Sequence, residues 1–264
     1  CLGFSEIDPH ACAVYEKHFP THMSLGDITQ VDFKQFRGKV DLVVGGSPCT
    51  DLSSARTAAK DKRKGLEGNH SRLFWEFVRC LQECKPKHFI LENVNSMKTQ
   101  DKDAISKVMK VSPVMLNSRN VTAQNRRRLF WASFIIAQFE DPHHVYFRNQ
   151  MCIQDKDLVL SNILLPLEEV EEFQHTAKLV DYVFTQEVKN TGKTRYEKYR
   201  MCNDSDDEKS KCVGAFMSSN CYNVLIDRRD NSEFPIIRKF SPIELERLQG
   251  FPDDWTSGLS YRQR

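Results

Sequence analysis

The reactive groups of this sequence sit in three short stretches: a cysteine closing Gly46-Ser47-Pro48-Cys49, a glutamate opening Glu92-Asn93-Val94, and two arginines in Arg126-Arg127-Arg128. Each borders an apolar run of strand length. Val40-Asp41-Leu42-Val43-Val44-Gly45 reads as a buried strand leading to the cysteine. Phe89-Ile90-Leu91 leads into the glutamate, and Leu129 to Phe134 follows the arginines. Open α/β sheets place their chemistry at the carboxyl ends of strands, so this pattern predicts a thiol and a carboxylate at one sheet rim. A thiol, a carboxylate and an arginine pair supply a nucleophile, an acid and an anion clamp. Along an extended segment Arg126 and Arg128 face one way and Arg127 the other. The thiol attacks as its thiolate.

These groups need a scaffold, and the first half of the chain alternates strands and helices. Phe4 to Ile7 reads as a short strand. Asp8 then caps a helix with Pro9 at its first position and Ala11, Val14 and Tyr15 on one face. Gly26-Asp27-Ile28 marks a turn after the next strand. Ser71 is placed to cap a helix whose Leu73, Phe74, Phe77, Val78 and Leu81 form an apolar stripe. A further helix is expected near Asp103 to Met109, and strands at Val114 to Leu116 and Leu129 to Phe134. This rhythm predicts an α/β fold with a doubly wound, mostly parallel sheet. Thr50 to His70 is polar and basic, with Lys60 to Lys64 its densest charge, and reads as a long loop of functional type.

Past about residue 140 the rhythm breaks, which predicts a second, smaller domain over 141–236 and a junction segment over 237–264. In that last segment Ser241 is an N-cap, Pro242 takes the first helical position, Glu244 completes a capping box and Gly250 stops the helix. A chain of 264 residues, 40% hydrophobic and 28% charged, can bury such cores. No apolar run has the length of a membrane span, and the chain opens with neither a methionine nor a signal peptide. Nine cysteines form no ligand pattern, and Cys80 and Cys84 lie one helical turn apart, so reduced thiols and no metal site are expected. A net charge of +2 gives no global basic signal, although basic residues cluster locally.

Taken together, Pro48-Cys49, Glu92-Asn93-Val94, Gln124 to Arg128 and Arg247-Leu248-Gln249-Gly250-Phe251-Pro252 resemble, in order and spacing, the motifs of the cytosine-5 DNA methyltransferase family. Glu6-Ile7-Asp8 and Gly26-Asp27-Ile28 match its cofactor-side motifs. The stretch from Gly46 to Trp131 is similar to the eukaryotic de novo branch, and Arg238 to Trp255 to bacterial and phage members. The resemblance implies a Rossmann-like methyltransferase sheet over 1–140 and a target-recognition domain over 141–236. The family also opens with a glycine-rich turn and closes with a Gly-Asn motif. This sequence starts after the first and stops before the second, which leaves one wall of the cofactor pocket to be accounted for.

On that resemblance, Cys49 adds to carbon 6 of cytosine, and Glu92 hydrogen-bonds or protonates ring nitrogen 3. Asn93 orients the loop of Glu92 and a water that takes the carbon 5 proton. Arg126 and Arg128 hold the base oxygen and an adjacent phosphate. The base leaves the duplex to reach the thiol, at a cost of about a few kcal/mol, under a lid formed by Thr50 to His70. S-adenosylmethionine is held by Glu6 at its ribose, by Ile7 on the adenine, by Asp27 at the adenine amino group with Ile28 beside it, and by Pro48 and Leu73. The implied partner is duplex DNA, in a nucleus or in a bacterial or viral cytosol. A transfer-RNA methyltransferase and a non-catalytic DNA-binding paralogue remain alternatives. Singly, each residue has a plain structural role: Cys49 a buried thiol, Glu92 a strand-end ion pair, Leu73 part of a core stripe.

Overall fold

The structure is a computed structural model that describes residues 1–49, 52, 72–134, 155–174, 181–182, 185–187, 191–194, 203–205, 207–213, 224–229, 236–261 and 263. Apart from Leu52, the expected lid from Thr50 to His70 lies outside the described residues, as does the expected helix cap Ser71. Packing divides the chain into two compact units, residues 1–117 with 127–153, and residues 118–126 with 154–264.

The first unit runs β1 (Gly3–Phe4), α1 (Pro9–His18), β2 (Met23–Ser24), β3 (Leu42–Gly46), α2 (Leu73–Cys84), β4 (His88–Val94), α3 (Thr99–Met109), β5 (Val114–Asn117) and β6 (Arg127–Ala132). Strands β1 and β2 form a parallel pair. The other four form a sheet in the order β3-β4-β6-β5. Strand β3 is parallel to β4, and β6 is antiparallel to both β4 and β5. It follows that β3, β4 and β5 run one way and β6 alone is reversed. This is the mostly parallel, Rossmann-like α/β sheet that the β-α-β rhythm predicts.

One face of this sheet carries the core. Phe74 and Phe77 of α2 and Ile105 and Met109 of α3 close on Leu91, Leu129 and Trp131. Burying each such side chain contributes roughly 1.5–3 kcal/mol. The Trp131 indole also donates to Ser106 Oγ at 2.9 Å, so its one polar atom is satisfied. Helix α2 approaches so closely that a Cβ at Gly45 would stand 2.5 Å from the Phe77 ring. Strand β3 is less buried than its apolar sequence suggests. It is an edge strand with one face packed, and Val44 on the other face is 65% exposed.

Local chemistry fixes the helix ends. Asp8 accepts from the amides of His10 and Ala11, with Pro9 at the first position of α1. Helix α2 begins at Leu73 after Arg72, without a side-chain cap, and Lys85 ends it in the left-handed region. Helix α3 starts at Thr99, a turn earlier than expected from Asp103.

The second unit contains β7 (Asn203–Asp204), β8 (Val224–Asp227), β9 (Ile236–Lys239) and α4 (Pro242–Gln249). Its sheet has the order β7-β8-β9, with β7 parallel and β9 antiparallel to β8. Helix α4 carries the expected capping box between Ser241 and Glu244, and Gly250 ends it at φ 82°. The packing units do not follow sequence boundaries at 140 and 236. Ala123 joins Leu160, Leu225, Phe240, Leu245 and Leu248 in one buried cluster, which draws 118–126 and the C-terminal segment into this unit. Among the described residues, no helix is long and apolar enough to cross a membrane.

Candidate active site

The parallel register of β3 and β4 sets Gly46 beside Glu92, so the turn Ser47-Pro48-Cys49 leaves β3 where β4 presents its carboxylate. A side chain at residue 46 would bring its Cβ to 3.3 Å from Glu92 Oε2, so glycine keeps that approach open. Cys49 is half-buried, unpaired with any other cysteine, and packs against the α2–α3 core. Its carbonyl accepts from the Leu52 amide at 2.9 Å.

Asn93, only 1% exposed, braces this turn. Its Nδ2 donates to Ser47 O at 3.1 Å and to Ser47 Oγ at 2.9 Å, and its Oδ1 accepts from the Val94 amide. Asn93 was expected to orient the loop of Glu92; strand alternation points the two side chains to opposite faces, and the Asn93 amide bonds both Val94 of that segment and Ser47 of the cysteine turn. Ser47 was not singled out from sequence; a small polar residue between a glycine and Pro48-Cys49 was the available signal.

Glu92 is held by Arg128, whose Nε lies 2.8 Å from Glu92 Oε1. Arg128 also donates to Arg127 O at 2.8 Å. Strand β6 starts at Arg127, so Arg126 immediately precedes it. Arg126 belongs to the second unit, where its guanidinium donates to Cys212 Sγ at 3.5 Å. The neighbouring Asn125 amide donates to Ser210 O at 2.8 Å in the same unit. The structure therefore brings together the Cys49 turn, Glu92, Asn93 and Arg128.

A second group of expected residues gathers at the carboxyl end of the β1–β2 pair. The Leu25 amide donates to Phe4 O at 2.9 Å and Ser5 Oγ to Gly26 O at 2.5 Å, which ties the two strand exits together. Glu6 Oε1 accepts from the amides of Ile7 and Asp8 at 2.7 and 2.9 Å, while Ile7 is 72% exposed. Asp27 Oδ1 accepts from the amide and hydroxyl of Thr29, each at 2.9 Å. Those bonds, the amide first, hold the Asp27 carboxyl below the usual carboxylate range. Ile28 is half-buried and packs on Val31, Phe33, Cys80 and Cys84. Pro48 lies in the cysteine turn and Leu73 opens α2, both half-buried. Among the described residues, no three His, Cys, Asp or Glu side chains are grouped to share a metal ion.

The model of the C-5 cytosine-specific DNA methylase family matches residues 1–263. The sequence is 30% identical over 274 residues to the type II methyltransferase M1.ScrFI of Lactococcus lactis subsp. cremoris, covering 98% of this chain and 65% of that protein. It is 36% identical over 144 residues to the orphan methyltransferase M.SPRI of Bacillus phage SPR, covering 49% of this chain and 31% of that protein. The chain thus spans less than two thirds of the length of either relative. The fold is shared with the solved Entamoeba histolytica methyltransferase EhMeth at a TM-score of 0.67 and 15% identity, covering 99% of this chain and 82% of that one.

Proposed function

The chain belongs to the C-5 cytosine-specific DNA methylase family, and from that premise we propose that it methylates carbon 5 of a cytosine flipped out of duplex DNA. The observation that carries this reading is the pairing of Gly46 with Glu92, which sets the Cys49 turn next to a carboxylate fixed by Arg128.

Carbon 5 of cytosine is a weak nucleophile. Cys49 Sγ, as thiolate, adds to carbon 6 and forms a carbon–sulfur bond. The ring double-bond electrons move away from carbon 6, and Glu92 gives a proton to ring nitrogen 3, so no full negative charge develops. Carbon 5 then has enamine character. S-adenosylmethionine supplies the methyl group when bound. After methylation a base removes the carbon 5 proton, those electrons rebuild the ring double bond, and Cys49 leaves as thiolate. Nitrogen 3 returns its proton to Glu92. Asn93 keeps the Cys49 turn in place throughout by its two bonds to Ser47.

The residues at the β1–β2 exit fit an adenosine. Two carboxylates, Glu6 and Asp27, and the exposed Ile7 side chain share one rim. Glu6 suits ribose hydroxyls, Asp27 the adenine amino group, and Ile7 and Ile28 the apolar faces of the base, with Pro48 and Leu73 lining the side toward Cys49. Arg128, beside Glu92, binds the base oxygen, and Arg126, carried by the second unit, offers a guanidinium to DNA phosphate. Residues 141–236 read the DNA sequence, because base-edge contacts rather than backbone contacts specify a target.

A duplex oligonucleotide containing 5-fluorocytosine tests this. Fluorine at carbon 5 cannot leave as a proton does, so the adduct persists. With S-adenosylmethionine the chain is expected to form a denaturation-stable complex with the duplex, and Cys49→Ala none. Absence of the complex with the wild-type chain, or its persistence in Cys49→Ala, overturns the reading. Parallel reactions with transfer RNA test the substrate class.

A further inference from the structure

The segment after β2 carries Asp27 and Ile28, yet it contains only short 3-10 turns, Ile28–Gln30 and Phe33–Phe36. Such short turns have weak hydrogen bonding of their own and leave carbonyls to be satisfied from outside. Here one side chain of α2 takes two of them. Arg79 donates through one terminal nitrogen to Ile28 O at 2.7 Å and through the other to Val31 O at 2.8 Å. Its guanidinium carbon stands 5.1 Å from the centre of the Phe33 ring.

The guanidinium is itself held in place. Glu76, one turn before it, accepts from Nε at 2.7 Å, and Glu83, one turn after, accepts at 3.2 Å. Glu83 also accepts from the Phe33 amide at 3.0 Å, so the same carboxylate grips both the arginine and the segment. Below them, Cys80 and Cys84 pack on Val31 and Phe33. A planar fork with donors on fixed axes can span two carbonyls of one turn, which an ammonium cannot do. Asp27 caps the first of these turns from its other end, through Thr29.

We propose that Arg79 is a positioning residue for the adenine end of the cofactor site, setting Asp27 and Ile28 at the β1–β2 rim through its bonds to the Ile28 and Val31 carbonyls. This rests on the reading that Asp27 and Ile28 receive the adenine. Arg79 bonds Ile28, Val31, Glu76 and Glu83 and neither Cys49 nor Glu92, so its effect falls on cofactor affinity and not on the methylation step.

The test is calorimetric titration of the whole chain with S-adenosylhomocysteine, alongside steady-state methyl transfer to duplex DNA. Arg79→Met, which keeps the apolar stem, is expected to weaken S-adenosylhomocysteine binding and raise the methyl-donor KM about tenfold, with kcat and the KM for DNA within about twofold. Arg79→Lys, which reaches one carbonyl, should fall between the two and serves if Arg79→Met does not fold. If Arg79→Lys lowers only the melting temperature or kcat and leaves affinity and donor KM unchanged, the inference is overturned. Asp27→Ala separates the two levels. Weakened binding in Asp27→Ala but not in the Arg79 variants removes the role of Arg79 alone. Unchanged binding in Asp27→Ala, or no binding by the wild type, removes the adenine assignment and the inference with it.

Discussion

Arg128 reaches back along the reversed strand to hold Glu92. In the antiparallel register Arg128 lies opposite Val94, two positions beyond the glutamate, and its Nε still meets Glu92 Oε1 at 2.8 Å. That diagonal is within reach of a long side chain on one sheet face. The pair is asymmetric, with the arginine side chain 17% exposed and the glutamate 34%. The arginine therefore acts as the fixed member, and one carboxylate oxygen is tied while Oε2 faces Gly46.

Removing that tie should cost turnover more than fold. Arg128→Met is expected to reduce single-turnover methyl transfer by roughly 100-fold, the scale of a misplaced general acid, while the circular dichroism spectrum stays unchanged. Arg128→Lys should recover part of the loss, since an ammonium reaches the carboxylate without the same directionality. Wild-type turnover in Arg128→Met would remove the pair from the chemistry.

Asn93 gives a sharper test, because its amide is spent on Ser47 and on its own strand. Asn93→Asp removes both donors and sets a carboxylate against the Ser47 carbonyl at a position 1% exposed. Burying an acceptor without a donor costs about 1–3 kcal/mol, and more for a charge. The unfolding midpoint in urea should drop accordingly. The rate of Cys49 alkylation by iodoacetamide should also change, since the turn that carries the thiol loses its brace. An unaltered alkylation rate would show that Asn93 does not set the thiol.

The strand ends were legible in sequence because each apolar run stops at a polar residue whose chemistry is distinctive. Cys49 and Glu92 stand out on that ground and Asn93 on the resemblance; the register of β3 on β4 sets Gly46, three residues before Cys49, beside Glu92. The caps at Asp8 and Ser241 were legible for the same reason, since local hydrogen bonds depend on residues two or three apart. What sequence could not give was pairing between distant segments. Arg126 and Arg128 are two residues apart, yet a bridge from Gln124 to Ser210 takes the first into the second unit. The part of Asn93 in holding Ser47 spans forty-six residues and leaves no periodic trace. The burial of β3 was overestimated because an apolar run does not distinguish a central strand from an edge strand.

The approach of α2 to β3 predicts an intolerant glycine. At Gly45 an added methyl would stand 2.5 and 2.6 Å from two carbons of the Phe77 ring. Phe77 is 5% exposed and packed among Phe74, Leu91 and Trp131, so the ring has little room to yield. Gly45→Ala should therefore destabilise the chain by about 1–3 kcal/mol through overpacking. The double variant Gly45→Ala with Phe77→Leu should recover part of that loss in urea denaturation. No recovery would mean that the clash is not with Phe77.

The second unit should lose stability in acid, for a reason that lies in its buried charges. Arg238 is fully buried and pairs with Asp227 Oδ2 at 2.9 Å and with both oxygens of Glu244, at 2.7 and 2.8 Å. Arg229 adds a second contact to Asp227 Oδ2 at 2.7 Å. Burial raises the pKa of Asp227, but the bonds and charge of Arg229 and Arg238 outweigh it, and the carboxyl ends below its ordinary value. A carboxyl with a depressed folded pKa contributes stability that is whole above its unfolded pKa, near about 3.9, and is lost as pH falls through the folded value. Stability from this pair should therefore be flat from neutral pH down to about 5 and decline below it. Asp227→Asn should cost roughly 3–5 kcal/mol at pH 7, because Arg238 keeps its charge and loses one of two buried counter-charges. The same variant should show a shallower decline between pH 4 and pH 2.5, since the titrating group is gone (about one proton fewer taken up on unfolding). Urea melts followed by tryptophan fluorescence at pH 7, 4 and 2.5 would measure both effects. An equally steep acid limb in Asp227→Asn would place the acid sensitivity elsewhere.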